Sequence, residues 1–203
     1  MSGLQLFQNE ASPYARKVKV VLIETGQLDD VELIASSGSP TQPHGLPLAT
    51  NPLGKIPALI RPDGPGLFDS RVICRYFDAR GGANLYPESS LWEVLTLEAL
   101  ADGILDAAVL MVYEHRCRPP EAVQEDWLAA QWSKVDRALD MVQDRWMSHL
   151  SGPLTMGQIG VGAARGNLDF RHASRDWPSG RTELTEWERA FAARPAMLET
   201  APR

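Results

Sequence analysis

A proline at the head of an apolar run, Ile56-Pro57-Ala58-Leu59-Ile60, restricts this chain more than any other feature. Ala58, Leu59 and Ile60 read as a short buried strand. Proline lacks the backbone N–H that a ladder uses, so within a sheet it is confined to an edge, a bulge or a strand's first residue. An Ile-Pro bond is also one of the few that can be cis at modest cost, and a cis bond bends the chain sharply. Such a bend can leave the N–H and C=O of Ile56 outside the sheet, where an extended peptide can pair with them as an added strand does. Asn51-Pro52-Leu53-Gly54-Lys55 supplies the turn in front.

Two helix starts accompany this segment. Asp69-Ser70 opens the pattern Arg71-Val72-Ile73-Cys74-Arg75-Tyr76-Phe77, and either residue is a natural N-cap. Upstream, in Ser12-Pro13-Tyr14-Ala15-Arg16-Lys17-Val18, Ser12 stands as N-cap and Pro13 as the first helical residue. A helix N-terminus carries free N–H groups and the positive end of a dipole, so each start suits an anion.

In chain order, Leu4–Gln8 alternates like a first strand, and the residues from Pro13 to Glu24 form a helix that Gly26 stops. Val31–Ile34 is a second strand. Residues 35–50 are rich in Gly, Pro, Ser and Thr and read as a loop with at most one helical turn. Asp63-Gly64-Pro65-Gly66 is a hairpin-type turn leading to a short strand at Leu67-Phe68. A helix from Ser70 to about Ala79 ends at Gly81-Gly82. From Glu88 strand signals vanish. Val94, Leu97, Ala101, Ile104, Leu105, Ala108, Met111 and Val112 recur at helical spacing. After the break at Arg118-Pro119-Pro120, Trp127 to Trp146 give a second stripe, and two such helices should pack antiparallel. Further helices are expected near Thr155 and from Glu183 to Ala193, with a loose tail from Ala196.

The 203 residues carry a net charge of −6, which argues against bulk attraction to nucleic acid or an anionic membrane. No apolar run approaches the roughly 20 residues that span a bilayer, and the N-terminus shows no secretion signal. Cys74 and Cys117 match neither metal-ligand nor redox spacing, so no metal is expected and a dithiol oxidoreductase is excluded. A cytoplasmic location follows as the expectation.

Together Ser12-Pro13-Tyr14-Ala15-Arg16-Lys17-Val18, Asn51-Pro52-Leu53-Gly54-Lys55-Ile56-Pro57-Ala58-Leu59 and Asp69-Ser70, in that order and spacing, resemble the glutathione S-transferase family, in particular its serine-type bacterial members. The resemblance implies an α/β thioredoxin-like domain of order βαβαββα over residues 1–80, a linker at 81–87 and an all-α domain over 88–203. It also implies glutathione as co-substrate, a small hydrophobic electrophile as second substrate, and a homodimer. The sequence departs from the family at Thr155-Met156-Gly157-Gln158, where Gln158 takes the place of an aspartate that closes a capping box; a glutamine can still close one. Gly157, Gly160, Gly162 and Gly166 each cost about 1 kcal/mol against alanine within a helix, which predicts a core helix held by packing.

The chemistry to be met is specific. A free thiol has a pKa of about 8.5, and lowering it by two units takes about 2.7 kcal/mol of preferential stabilisation of the thiolate. One charge-assisted hydrogen bond of roughly 1.5–3 kcal/mol, aided by the helix dipole, suffices. Ser12 is the candidate donor, with the phenol of Tyr14 as competitor or pocket wall. Asp69 and Ser70 suit the amine and carboxylate of the γ-glutamyl end. Ile56, beside Pro57, pairs with the cysteinyl backbone, and Lys55 neutralises the glycyl carboxylate. Each has a plainer reading as a cap, an edge or a solvated charge. For Arg16 that plainer reading is a salt bridge, and for His44 a surface residue. The resemblance places the electrophile pocket at Tyr14, Asp106, Leu110 and Tyr113, with Arg116 nearby. Asp102 and Asp106 stand one helical turn apart, and one of them could reach glutathione on the other subunit. Peroxide reduction, isomerisation or dehalogenation with glutathione is the alternative chemistry. A non-catalytic binding or regulatory protein of the same fold is the alternative class.

Overall fold

The computed structural model describes residues 3–203. It divides into two compact units. One runs to Tyr86 and takes in Glu199–Arg203; the other is Pro87–Leu198.

In the first unit, strands β1 (Leu4–Gln8), β2 (Val31–Ala35), β3 (Ala58–Ile60) and β4 (Leu67–Phe68) form one sheet of order β2-β1-β3-β4. β1 pairs in parallel with β2, Leu6 facing Leu33, and antiparallel with β3, Leu6 facing Leu59. β3 and β4 pair antiparallel, Leu59 with Leu67. The alternation of β1 sends Leu4 and Leu6 into the core. Helix α1 (Pro13–Glu24) makes the crossover from β1 to β2, and helix α2 (Ser70–Gly81) follows β4 and packs on α1. Val18, Val21, Leu22, Ile73 and Phe77 are fully buried with Leu6 and Leu59. Gly82, at φ 62°, caps α2 in the left-handed conformation that glycine adopts without a Cβ penalty.

Between β2 and β3, where the order βαβαββα has a second helix, the chain makes turns instead. Pro40, Pro43, Pro47 and Pro52 remove donors at close intervals, and no helix survives that. Its polar groups are met locally, as where Ser36 Oγ donates to the Gly45 carbonyl at 2.6 Å.

The second unit is helical: α3 (Leu91–Cys117), α4 (Glu125–Arg145), α5 (Met147–Leu150), α6 (Met156–Arg171), α7 (Thr182–Ala192) and all but the last residue of α8 (Pro195–Glu199). The apolar stripe expected on α3 is buried from Val94 to Met111, and that of α4 at Leu128, Val135, Leu139 and Val142. Helix α6 is the centre of the unit. A Cβ on Gly157 would lie 2.9 Å from Leu97, one on Gly160 3.2 Å from Ala101, and one on Gly162 2.5 Å from the Phe191 ring. The glycines lower helix propensity but let α3 and α7 approach closely. Thr155 and Gln158 do form a capping box. Gln158 also donates from Nε2 to the carbonyls of Leu150 and Gly152, each at 3.0 Å. An aspartate has no such donor, so this chain uses the amide to tie the preceding loop to the helix. The buried guanidinium of Arg165 stacks on Trp177 and meets Asp169 at 3.4 Å, and burial pushes it down to about 10.

The tail is more ordered than expected. Pro195–Glu199 is helical, and Thr200 is buried, accepting from Arg16 Nε at 3.4 Å. Arg16 thus ties α1 to Thr200.

Candidate functional site

The chain makes a tight turn before α1. Ala11 N–H donates to Asn9 Oδ1 at 2.8 Å, and Ser12 N–H to the Asn9 carbonyl at 3.1 Å. Ser12 is left with extended backbone (φ −84°, ψ 115°) as N-cap, and its Oγ accepts from Ala15 N–H at 3.3 Å. Pro13 follows, its missing N–H harmless in the first turn. Because the cap uses Oγ as acceptor, the hydroxyl proton remains for donation outward. Ser12 is half-buried, and Arg16 and Lys17 are buried within α1.

The second element is the turn before β3. Asn51 is buried; its Oδ1 accepts from Leu53 N–H at 3.0 Å and its Nδ2 donates to the Lys55 carbonyl at 2.8 Å. Gly54 turns there at φ 60°. The Ile56–Pro57 bond is cis. The ladder begins at Ala58, so Ile56 lies outside it, half-buried, with Pro57 buried and Lys55 exposed.

The third element caps α2. Asp69 holds φ 71°, rare for a residue with a Cβ, and its Oδ1 accepts from Arg71 N–H at 2.9 Å. The same carboxylate is gripped by the Arg71 guanidinium, Nε to Oδ1 at 3.1 Å and Nη2 to Oδ2 at 3.0 Å. These hydrogen bonds, with Lys17 adding positive charge, hold the Asp69 carboxyl below its usual range despite partial burial. Ser70 is buried at the first turn of α2. An arginine two residues after an N-cap aspartate is placed to make this clamp.

The first unit therefore holds Ser12, Tyr14, Lys55, Ile56, Pro57, Asp69 and Ser70. Asp106, Leu110 and Tyr113 lie along α3 in the second unit at positions i, i+4 and i+7, Asp106 and Leu110 exposed and Tyr113 half-buried. Asp102 is instead buried, so the two aspartates do not share an environment. His44 is exposed. An open depression of about 220 Å³ in the second unit, lined by Ser90, Val94, Leu97, Ser148, His149, Gly152, Pro153 and Thr155, contains none of the predicted pocket residues. Among the described residues no cluster of three or more His, Cys, Asp or Glu could hold a metal, and no helix is long and apolar enough to cross a membrane.

Comparison with known proteins identifies the family. The family described as glutathione S-transferase, N-terminal domain, matches residues 11–80, and glutathione S-transferase, C-terminal domain, matches residues 125–190. A glutathione transferase family member from Pseudomonas fluorescens Pf-5, solved with bound glutathione, is 46% identical, with 98% of this chain and 99% of that one covered and a TM-score of 0.95. A glutathione S-transferase from Methylobacillus flagellatus KT, also with glutathione bound, is 36% identical over 98% of this chain and 100% of that one, TM-score 0.85. An uncharacterized GST-like protein of Escherichia coli K12 is 29% identical over 98% of both chains. With both domain families matched in order and the fold shared across whole chains, this protein belongs to the glutathione S-transferase family.

Proposed function

We propose that this protein binds glutathione on its first unit and conjugates the thiolate to a small hydrophobic electrophile. The observation that carries the reading is the Ser12 hydroxyl, fixed by its own cap bond at the head of α1 with a proton left to donate. That proton would meet the sulfur, and the helix N-terminus would add its positive end. The cysteinyl backbone pairs with Ile56 beside Pro57, and Lys55 meets the glycyl carboxylate. Asp69 and Ser70 take the γ-glutamyl end. Two relatives with glutathione bound, at 46% and 36% identity, support this assignment of ligand. For the electrophile the family resemblance implies Tyr14 of the first unit and Asp106, Leu110 and Tyr113 of the second, and for the assembly a cytoplasmic homodimer.

Titration calorimetry with reduced glutathione, followed by turnover assays with an aryl halide and with an organic hydroperoxide, tests the reading. Saturable heat, thermal protection and conjugate formation are expected. Turnover of the peroxide alone would move the chemistry to reduction. No heat and no protection at millimolar glutathione would remove the ligand itself.

A further inference from the structure

The second unit gathers cations where α3 and α6 end side by side. The two helices run parallel: Gly157 packs on Leu97 and Gly160 on Ala101, and further along His172 Nε2 lies 3.0 Å from the Ala108 carbonyl. Their last turns carry His115 and Arg116 on α3 and Arg171 on α6, all exposed. The chain then turns back, Arg175 N–H donating to the His172 carbonyl at 2.8 Å. The Arg175 guanidinium thereby stands 5.1 Å from the centre of the Trp132 ring on α4. The dipole of a helix favours a cation at its C-terminus, which accounts for one at each end. It does not account for three guanidinium groups and a histidine together in a chain of net charge −6. The carboxylates nearest in the chain are engaged elsewhere, Glu114 by Arg118 at 2.7 Å and Asp169 by Trp177 Nε1 at 2.8 Å and by Arg165. Among the described residues no carboxylate forms an ion pair with Arg116, Arg171 or Arg175. The charges that act on Arg171 and on buried His172 are all positive: Arg116 on the first, and Arg175, Arg171 and His115 on the second.

We propose that the paired ends of α3 and α6 form a binding site for a phosphoryl group, with the guanidinium groups of Arg116 and Arg171 as its donors and Arg175, against Trp132, as its third side. Arginine cannot relieve repulsion by losing its proton, so a cluster of this kind is stabilised by an anion from solution. The planar fork of each guanidinium matches two oxygens of a phosphate. A phosphate dianion offsets two of the three fixed charges, where a carboxylate offsets one. Contact with the Trp132 face restrains Arg175, so less freedom is lost when it meets a ligand. The site lies wholly within the second unit and is independent of the glutathione reading given above.

The test is titration calorimetry of the full chain at fixed ionic strength, without glutathione, using inorganic phosphate and phenyl phosphate as probes. Saturable heat is expected. Arg116→Gln and Arg171→Gln should each weaken binding about threefold or more, as suits a solvent-exposed charge pair. Arg189→Gln removes the same charge from an exposed position on α7 and should leave binding unchanged. Tighter binding of phenyl phosphate would assign the site to a phosphorylated molecule, and equal or weaker binding to the free ion; either result upholds the site. No saturable heat from either probe overturns the proposal, as does an equal loss in Arg189→Gln, which would mean a diffuse field. Binding of polyglutamate by a protein that takes up neither phosphate also overturns it, since the patch would then serve an acidic macromolecule. Arg116 and Arg171 are exposed, so both variants should keep the wild-type melting temperature. Phosphorus NMR gives a second reading: the wild type should broaden the phosphate line and Arg171→Gln should restore it, whereas an unbroadened line with the wild type contradicts the site.

Discussion

Asp69 combines three demands in one side chain. It caps α2, it holds a backbone conformation that residues with a Cβ rarely adopt (φ 71°), and it carries a charge clamped by Arg71. Strain of this kind persists where surrounding structure over-determines it, and it clusters at functional sites. Alanine here would disturb cap, strain and charge together. Asparagine keeps the shape and the cap acceptor while removing the charge, and it tolerates positive φ better than most residues. Asp69→Asn should therefore fold with little change in melting temperature and bind glutathione about tenfold or more weakly. Equal affinity in calorimetry would reassign the carboxylate to capping alone. The charge is present at working pH: with its pKa lowered by the Arg71 hydrogen bonds, Asp69 stays ionised through neutrality. What it adds to stability is present above the carboxylate's unfolded pKa and fades as pH falls through the lower folded one.

At the scale of elements, most of the fold was legible. Ser12-Pro13 marked the start of α1 and Gly81-Gly82 the end of α2, because caps are local chemistry. The stripes of α3 and α4 showed as helical periods because each buries one face along its whole length. What did not show depends on contacts distant in sequence. The docking of Thr200 on Arg16 spans 184 positions, and even the nearer partners of the Gln158 amide, the carbonyls of Leu150 and Gly152, lie ahead of the helix and outside its period. The glycines of α6 were read as a propensity cost, and their use as points of close approach appeared with the neighbouring helices. Gly103, on the exposed face of α3, has nothing near the position of a Cβ, whereas Gly162 faces the ring of Phe191. Gly103→Ala should then stabilise the protein by about 0.5–1 kcal/mol. Gly162→Ala should destabilise it by about 1–3 kcal/mol despite the same gain in helix propensity. Urea unfolding of both variants checks this, and a stabilised Gly162→Ala would mean that the α6–α7 contact is loose.

Across the whole molecule, the candidate site was legible only in part. The residues of the first unit lie in three short motifs, each with its own turn chemistry, and could be named from them. The second-unit residues proposed for a second substrate are single positions of a long helix, where a core stripe and a lining stripe have the same period. Global stability also carries a pH signature that no motif announces. His172, at the end of α6, is buried with its Nε2 3.0 Å from the Ala108 carbonyl of α3. The Trp132 ring of α4 lies nearby, and Arg171, Arg175 and His115 add positive charge around it. Burial, more than those charges, pushes its pKa below the ordinary range, while the carbonyl opposes the shift. The unfolded chain therefore takes up a proton that native His172 refuses, and stability falls as pH drops through the ordinary histidine range. The melting temperature should decline between about pH 7 and pH 5, and His172→Gln should flatten that decline. A variant with the wild-type slope would assign the acid sensitivity to other groups.

The central claim concerns a sulfur anion held by a serine hydroxyl at a helix start. Its most direct measurement is the ultraviolet absorbance of the thiolate of bound glutathione against pH, for the wild type beside Ser12→Ala. The wild type should ionise the thiol well below its free pKa of about 8.5, and the variant should raise the midpoint by about one to two units. The same midpoint in both proteins would contradict the claim.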